Sequence, residues 1–509
     1  MKHIILLFVL IRASLPLSAD TAGEGRPNIL LILVDDLKPV IGAYGDPVAQ
    51  TPSLDRLASM GERFELAYCN QAVCMASRYN LLLGSRSTST GFYNFGTQFR
   101  DVYPDAVTLP QYFKQAGYHV ESMGKVFHIG HGNFGDEASW SVPHHKDKVI
   151  EYLEPASTQY GHLTREEAFF TNAPRKTGVV VRELPRGAAW EAPDVLDEAY
   201  ADGRVATYAV DRLWELTRNQ EQPVFMAVGF ARPHLPFSVP RKYWDLYDRA
   251  QLPMPEVTDP IEGAPPYAPK HGGEIRNYFP IPVNSDEYPE DLVRTLIHGY
   301  YASVSYMDAQ LGRVLDALEK NGLAENTIIV LWGDHGFHLG DHNQWTKHSN
   351  YEQANRIPLI IVAPGVTRPG SSTGQLAESV DIYPTLAELA GLPRPNPSQP
   401  IDGISLVPVL KDPDARIRDH AYHAYPRRGG VNRIGQAIRT GRYRLVRWLP
   451  AEEGAAPVDL ELYDYREDPL ETENLAESRP EVVKEMLEIL DRHPLPKPQV
   501  DRKNQAIRP

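Results

Sequence analysis

Three aspartates follow two apolar runs, where their carboxylates could hold a metal ion. Asp35 and Asp36 end the segment PNILLILVDD (27–36), and Asp334 follows the apolar part of NTIIVLWGDHG (326–336). Carboxylate oxygens are hard ligands that suit Ca²⁺. An aspartate at the end of a strand can equally be a turn element or a cap. Three carboxylates in one crevice would repel one another unless a cation lay between them, so their convergence would favour a metal site.

The chain has only two cysteines, Cys69 and Cys74. This number excludes a framework of disulfides, although the two residues could pair across a small loop. The alternative is a lone thiol at position 74, just before a helix that the pattern predicts to start near Ala76. The free N–H groups of that helix would then face an incoming anion.

Lysine and histidine side chains occur close to these segments. Lys125 and His128 lie three residues apart in GKVFH, so one helical turn would place a charge and a proton carrier on the same side. His234 lies in RPHLPF, between prolines that restrict its backbone. For a single lysine or histidine, the simpler interpretation is a solvated surface position.

Buried strands are the elements that must position these residues. The segments at 27–36 and 326–336, together with PVFMAVGF (223–230), are continuous apolar runs typical of strands buried on both faces. Between them, SYMDAQLGRVLDALEKNG has an apolar helical face and a possible glycine stop at Gly322. The alternation predicts an α/β fold with a large mixed, mostly parallel sheet sandwiched by helices. Ligands of such sheets bind beyond the carboxyl ends of the strands, where distant residues can converge.

The chain is predicted to divide into three parts. Residues 1–19 have a lysine near the start and a short apolar run, the pattern of a secretory signal. Residues 27–393 form the main domain, and residues 400–509 a smaller α+β domain with an antiparallel sheet and a helix. Two long irregular stretches, 131–200 and 250–290, are predicted to be rims of a cleft or plain surface loops.

Charge and hydropathy limit the possible partners. The formal net charge of −14 argues against a general nucleic-acid-binding surface. No segment after the predicted signal is long and apolar enough to cross a bilayer. We therefore expect a secreted or periplasmic protein.

The segment around Cys74 reads Cys-Met-Ala-Ser-Arg, which resembles the signature Cys-x-Pro/Ala-x-Arg of the type I sulfatases in the alkaline phosphatase superfamily. The resemblance covers nearly the whole chain, and its further motifs occur in the family's order. These motifs are LILVDD (31–36), GYHVESMGKVFHIG (117–130), ARPHLPF (231–237), GDHGFHLGDHNQWTKHS (333–349) and VDIYPTLAELAGLP (380–393). The chain departs from the signature in having Ala76 in place of the commoner proline, which the family permits, and a bulky Met75.

The resemblance implies that Cys74 is oxidised to Cα-formylglycine by a formylglycine-generating or anaerobic maturation enzyme. One hydroxyl of the hydrated aldehyde would attack sulfur, and the other would later expel sulfate. The family also implies one Ca²⁺ per chain. Its ligands would be Asp35, Asp36, Asp334, His335 and residue 74. The imidazole nitrogen of His335 leaves Mg²⁺ or Mn²⁺ open on ligand type alone.

The family's catalytic roles carry over to six positions of this chain. Arg78 would hold the formylglycine hydroxyl formed at Cys74. Lys125 and His128 would bind sulfate and formylglycine, with His128 as the base that helps to collapse the hemiacetal. His234 and Lys347 would bind sulfate and donate a proton to the leaving alcohol.

We therefore expect a sulfuric ester hydrolase that acts on a sulfated carbohydrate, closest to the branch of the family that cleaves 2-O-sulfated uronic acids. The alternatives are an arylsulfatase, a phosphomonoester or phosphonate hydrolase, and a sulfated-glycan-binding protein in which Cys74 stays a thiol or pairs with Cys69. Four arginines are candidates for a basic rim, namely Arg86, Arg100, Arg232 and Arg427. Four histidines are predicted to be loop residues rather than a second metal site, namely His119, His131, His144 and His145.

Overall fold

The structure is a computed structural model that describes residues 25–219, 221–427, 432–450 and 456–500. The predicted signal at residues 1–19 lies outside the described residues. The strands are β1 (Asn28–Val34), β2 (Glu62–Tyr68), β3 (His119–Gly124), β4 (Gly187–Ala188), β5 (Trp190–Glu191), β6 (Val224–Phe230), β7 (Phe237–Ser238), β8 (Tyr278–Phe279), β9 (Thr327–Gly333), β10 (Arg356–Val362), β11 (Ser371–Glu378), β12 (Ala421–Arg427), β13 (Arg433–Arg439), β14 (Tyr443–Pro450) and β15 (Asp459–Asp464). The helices are α1 (Pro52–Met60), α2 (Cys74–Leu83), α3 (Ser87–Thr90), α4 (Phe99–Val102), α5 (Leu109–Gln115), α6 (Arg165–Phe170), α7 (Ala173–Thr177), α8 (Ala201–Asn219), α9 (Arg241–Trp244), α10 (Glu290–Lys320), α11 (Glu352–Asn355), α12 (Ile382–Leu389), α13 (Val407–Lys411) and α14 (Pro480–Leu490).

A seven-stranded sheet forms the centre of the molecule, in the order β11-β2-β10-β9-β1-β6-β3. Strand β1 lies between β6 and β9 and is parallel to both. Strand β10 runs antiparallel to both of its neighbours, and the remaining pairs are parallel. The predicted large, mostly parallel mixed sheet is therefore confirmed. The three apolar runs form its three adjacent central strands.

The continuous apolar character of β1 follows from burial on both faces. Leu30, Ile32 and Val34 pack in one core cluster, whereas Leu31 and Leu33 pack in the cluster on the other face. A strand with only one buried face would alternate between apolar and polar side chains. The sheet therefore has a layer of helices on each side.

Helix α10 confirms the predicted amphipathic helix. It extends from Glu290 to Lys320, and the predicted apolar positions from Met307 to Leu318 are buried. Gly322 follows with a φ of +68°, a left-handed conformation that favours glycine and ends the helix. None of the described helices is long and apolar enough to span a bilayer.

A separate four-stranded antiparallel sheet, in the order β12-β13-β14-β15, follows the main sheet in the chain. One face packs against helix α14, where Met486 and Leu490 meet Leu445 and Leu462. The other face carries Trp448, which lies in a cluster with loop residues of the main body. The predicted strand meander and the helix after it are confirmed.

Candidate active site

The carboxyl ends of β1, β6 and β9 bring the predicted site residues together. The Asp35 N–H donates to the Phe230 carbonyl at 3.2 Å, and the Asp334 N–H donates to the Val34 carbonyl at 3.0 Å. Parallel pairing thus aligns the ends of three strands that are far apart in the chain. Residues 35, 230 and 334 lie side by side at one edge of the sheet.

Four of the five predicted metal ligands form a tight, buried group. The ligand atoms of Asp35, Asp36, Cys74 and His335 all lie within 4.8 Å of one another. Asp334 lies beside this group, and its Oδ1 is 3.6 Å from His335 Nε2. Two carboxylates and an imidazole, with a third carboxylate adjacent, make a donor set that suits a divalent cation.

His335 is held in the orientation that a ligand needs. Its Nδ1 lies 3.0 Å from the Gly336 carbonyl, so the proton on Nδ1 is donated there and Nε2 keeps its lone pair. Nε2 lies 3.3 Å from Cys74 Sγ. Burial, reinforced by Lys347, lowers the pKa of His335 to about 3, which keeps the ring neutral. Neutral imidazole is the form that binds metals.

Arg78 connects two strand ends from the interior of the protein. Its guanidinium donates from Nε to Asp334 Oδ2 at 3.1 Å and from Nη2 to Asp35 Oδ1 at 3.2 Å. It also donates to the backbone carbonyl of Lys125. Burial alone would raise the pKa of Asp35, but Lys125, His234 and Arg78 hold it well below its usual range.

Two buried lysines form ion pairs with the carboxylates that follow β1. Lys125 forms an ion pair with Asp35. The Lys347 ammonium lies 3.0 Å from both carboxylate oxygens of Asp36 and 2.9 Å from Glu274 Oε2. Burial raises the pKa of Asp36 to about 7 despite this contact. The sequence had predicted both lysines here, but nothing in the sequence had indicated Glu274.

His128 and His234 are both buried beside the cavity. Neither ring nitrogen of His128 has a hydrogen-bond partner. Burial, together with Lys125, lowers the pKa of His128 well below its usual range, so the ring is neutral and can accept a proton. His234 Nδ1 contacts the Leu235 carbonyl at 2.6 Å, and its Nε2 lies 3.2 Å from Glu274 Oε1. The helical turn that would place Lys125 and His128 on one side does not form, because residues 125–128 are irregular after β3.

Helix α2 begins at Cys74, two residues before the predicted start near Ala76. Cys74 is therefore the first helical residue, and the whole helix is buried. Cys69 and Cys74 are both free thiols, so the alternative of a disulfide between them is not realised here. Burial raises the pKa of the Cys74 thiol well above its usual range, and a buried, protonated thiol is a poor nucleophile.

A cavity of about 170 Å³ opens beside Cys74. Its lining residues are Cys74, Phe95, His128, His131, Glu166, Phe169, Phe170, His234, Glu274, Asn277, Lys347 and His348. The sequence had indicated only four of these twelve residues as site residues, namely Cys74, His128, His234 and Lys347. Glu166, Glu274 and Asn277 lie in the two irregular stretches, where there is no periodicity to assign them a position.

The expectations for the remaining histidines and arginines need correction. His119 begins strand β3 and is therefore not a loop residue, whereas His131 lies in a turn, as predicted, and also lines the cavity. The four arginines predicted for a basic rim make internal contacts instead. Arg86 and Arg100 pair with carboxylates at 2.7 and 2.5 Å, whereas Arg232 and Arg427 are buried and donate to backbone carbonyls at 2.7 Å.

The sulfatase family model matches residues 27–392, so the chain belongs to the sulfatase family and is a sulfuric ester hydrolase. A model of the C-terminal region of N-sulphoglucosamine sulphohydrolase matches residues 340–493. Among curated proteins, iduronate 2-sulfatase of Mus musculus is 34% identical, over 92% of this chain and 95% of that protein.

Solved structures share the fold at lower identity. A structure in complex with its substrate D-glucosamine-2-N,6-O-disulfate has a TM-score of 0.69 at 22% identity and covers 92% of this chain and 97% of the other. A phosphonate monoester hydrolase from Silicibacter pomeroyi has a TM-score of 0.70 at 21% identity, over 92% and 94% of the two chains. The suspected relationship to the type I sulfatases is confirmed.

Proposed function

We propose that this protein removes sulfate from a sulfated carbohydrate through a formylglycine made from Cys74 and a bound divalent cation. The observation that carries the proposal is the buried group of Asp35, Asp36, Cys74 and His335, with ligand atoms within 4.8 Å of one another. Residues 27–393 would be the catalytic domain and residues from 400 onward the C-terminal subdomain. We favour Ca²⁺ because carboxylate oxygens are the main donors.

The proposed site residues have two kinds of role, namely binding of the sulfate group by charged side chains and proton transfer. A bound divalent cation would lower the pKa of a hydroxyl on residue 74 and polarise the sulfuryl oxygens. Lys125 and Lys347 would hold the remaining sulfate oxygens as point charges. Arg78 would orient the nucleophilic hydroxyl, because its guanidinium is held between Asp35 and Asp334 at 3.2 and 3.1 Å.

Proton transfer falls to His128, His234 and Lys347. His128 has two unpartnered buried nitrogens beside Cys74, so it can accept the proton of the second hydroxyl when sulfate is expelled. His234 and Lys347 are the candidates for protonating the leaving alcohol. A sugar alkoxide is a poor leaving group, so such a donor matters more here than for a phenol ester.

The substrate and the location are the less specific parts of the proposal. The likeness to iduronate 2-sulfatase makes 2-O-sulfated uronic acids the first saccharides to test. The predicted signal and the need for a maturation enzyme suit a secreted or periplasmic protein. The protein would then take part in the degradation of sulfated polysaccharides.

Mass spectrometry and one matched pair of variants test the chemistry. We expect the peptide that contains Cys74 to be about 18 mass units lighter than its unmodified form, as the replacement of a thiol by an aldehyde requires. Cys74→Ala should abolish release of sulfate from p-nitrophenyl sulfate, whereas Cys69→Ala, a change of the other buried cysteine, should retain it. An unmodified, fully active protein would refute the proposal.

A second candidate is a phosphonate or phosphate monoester hydrolase on the same scaffold. The structural likeness to a phosphonate monoester hydrolase favours testing it, because sulfuryl and phosphoryl groups share a tetrahedral shape. We expect higher kcat/KM for p-nitrophenyl sulfate than for the phosphate and phosphonate esters. The reverse order would select the second candidate.

A further inference from the structure

The wall of the cavity beyond the proposed sulfate-binding residues has an acidic side chain with a spare hydrogen-bonding atom. Glu166 is 2% exposed, and its Oε1 accepts a hydrogen bond from Asn277 Nδ2 at 2.6 Å. Its Oε2 is buried and has no hydrogen-bond partner, and His131 Nε2 lies 3.8 Å from it. A buried polar atom without a partner is costly, so a ligand that supplies one would gain binding energy.

Helix α6 holds Glu166 firmly at this position. Thr164 and Glu167 form a capping box at the start of the helix, and the last residue, Phe170, also lines the cavity. His131 stacks between Phe95 and Phe169, with ring centroids 4.7 and 4.8 Å away. Aromatic rings beside a buried polar atom that lacks a partner are typical of a small-molecule subsite in which that atom helps to fix the orientation of the ligand.

Glu166 is uncharged near neutral pH. Burial, followed by the nearby charge of Glu274, raises the pKa of Glu166 to about 8. Because Oε1 already accepts from Asn277, the proton belongs on Oε2. An Oε2–H group can donate one hydrogen bond and accept another, which matches a hydroxyl group.

The charged side chains around the site match the charge of a single anion. The charged side chains are Lys125, Lys347, Arg78, Asp35, Asp36, Asp334 and Glu274. When a divalent cation is bound and keeps Asp35, Asp36 and Asp334 ionised, these three cationic side chains, the metal ion and the four carboxylates have a single positive charge in excess, the opposite of one sulfate ester. A carboxylate on the sugar would add a buried negative charge without a counter-charge. Lys347 is the only lysine or arginine among the described residues that line the cavity, and it already contacts Asp36 and Glu274.

We infer that Glu166 is a specificity residue that hydrogen-bonds the exocyclic hydroxyl of the sugar, the group that a carboxylate replaces in a uronic acid, and that the sugar bound here is an uncharged hexose rather than a uronic acid. This inference rests on the proposed function, because it assumes that the sulfate lies against Cys74. The sulfated uronic acids suggested by the 34% identical relative would then be the poorer substrates.

Binding measurements test the inference separately from catalysis. The full-length protein with Cys74→Ser, saturated with Ca²⁺, is titrated calorimetrically with pairs of hexose and hexuronic acid monosulfates that carry the sulfate on the same carbon. We expect the hexose of the preferred pair to bind about tenfold more tightly than the uronic acid, the discrimination that one net hydrogen bond can provide. Tighter binding of the uronic acid, or binding of neither sugar, would overturn the inference.

Substitutions at position 166 show whether the side chain acts on the sugar directly. Glu166→Gln keeps a donor and an acceptor, so the hexose preference should stay within about threefold of its original value. Glu166→Leu has a similar size but no polar atom, and it should weaken hexose binding about tenfold while changing uronic acid binding little. Glu183→Leu, on the exposed surface of the same irregular stretch, is the control.

Equal weakening of both sugars by Glu166→Leu would indicate a merely structural role and refute the inference. The proposed function fails on a different result, namely the absence of sulfate release by protein that carries formylglycine. The two failures are therefore distinguishable.

Discussion

Glu352 joins the C-terminal sheet to the main sheet, so its substitution should lower stability by a predictable amount. Its Oε2 lies 2.6 Å from Arg444 Nη2 and 3.3 Å from Arg439 Nε, and its Oε1 accepts a hydrogen bond from the Tyr68 hydroxyl at 2.9 Å. Burial would raise the pKa of Glu352, but the two arginines lower it from 4.5 to about 2. At 1.36 kcal/mol per pH unit, this shift corresponds to about 3 kcal/mol of stability.

The variant Glu352→Gln keeps the shape of the side chain and removes its charge. We expect its free energy of unfolding at pH 7 to be about 3 kcal/mol lower than that of the parent protein. Because the folded-state pKa is depressed, the contribution of Glu352 is complete above pH 4.5 and is lost as the pH falls towards 2. The difference between the two proteins should therefore shrink below pH 4.5.

Urea titrations followed by circular dichroism, repeated from pH 7 down to pH 3, measure this difference. Glu65→Gln is the control, because it removes the same charge from an ion pair whose glutamate side chain is 32% exposed. A pair of that kind contributes about 0–1 kcal/mol. The reasoning is refuted if Glu352→Gln costs no more than Glu65→Gln, or if its cost is the same at pH 7 and pH 3.

Three further predictions concern the metal site and the core. Arg78→Lys keeps the charge but loses the contact that the guanidinium makes to both Asp35 and Asp334. We therefore expect kcat/KM for p-nitrophenyl sulfate to fall about 100-fold, and an unchanged value would exclude the proposed role of Arg78. Chelation with EDTA should abolish turnover, and titration with Ca²⁺, Mg²⁺ and Mn²⁺ in parallel should show which ion restores it; full activity in EDTA would exclude the metal. Leu31→Ala, at a fully buried position of β1, should lower the free energy of unfolding in urea by about 2–5 kcal/mol. A change near zero in the free energy of unfolding would contradict the burial of both faces of that strand.

The elements that carry the site could be predicted because their signals are local. A strand buried on both faces requires an uninterrupted apolar run, and β1, β6 and β9 each have one. The face of α10 repeats with the period of a helix, and its end is marked by Gly322. The rule that ligands lie beyond the carboxyl ends of parallel strands then placed Asp35 and Asp334 at one edge.

Predictions failed where a residue's role depends on distant parts of the chain. Arg232 resembles a candidate for binding an anionic substrate, but it is buried and donates to the backbone carbonyl of His234. Lys125 and His128 reach the site from an irregular segment, so the helical spacing that had suggested their proximity was not the cause. Contacts between residues that are far apart in the chain produce no periodic pattern in the sequence.

The amino-acid sequence by itself determined the class of fold, the strands that end at the site and the signature around Cys74, because hydrophobic periodicity and short motifs act over a few residues. Only the tertiary structure decided which side chains face Cys74 across the cavity. Glu166, Glu274 and His131 come from segments without regular pattern, and packing over more than a hundred residues of chain sets their positions. The substrate that the protein accepts is therefore decided at the level of tertiary structure.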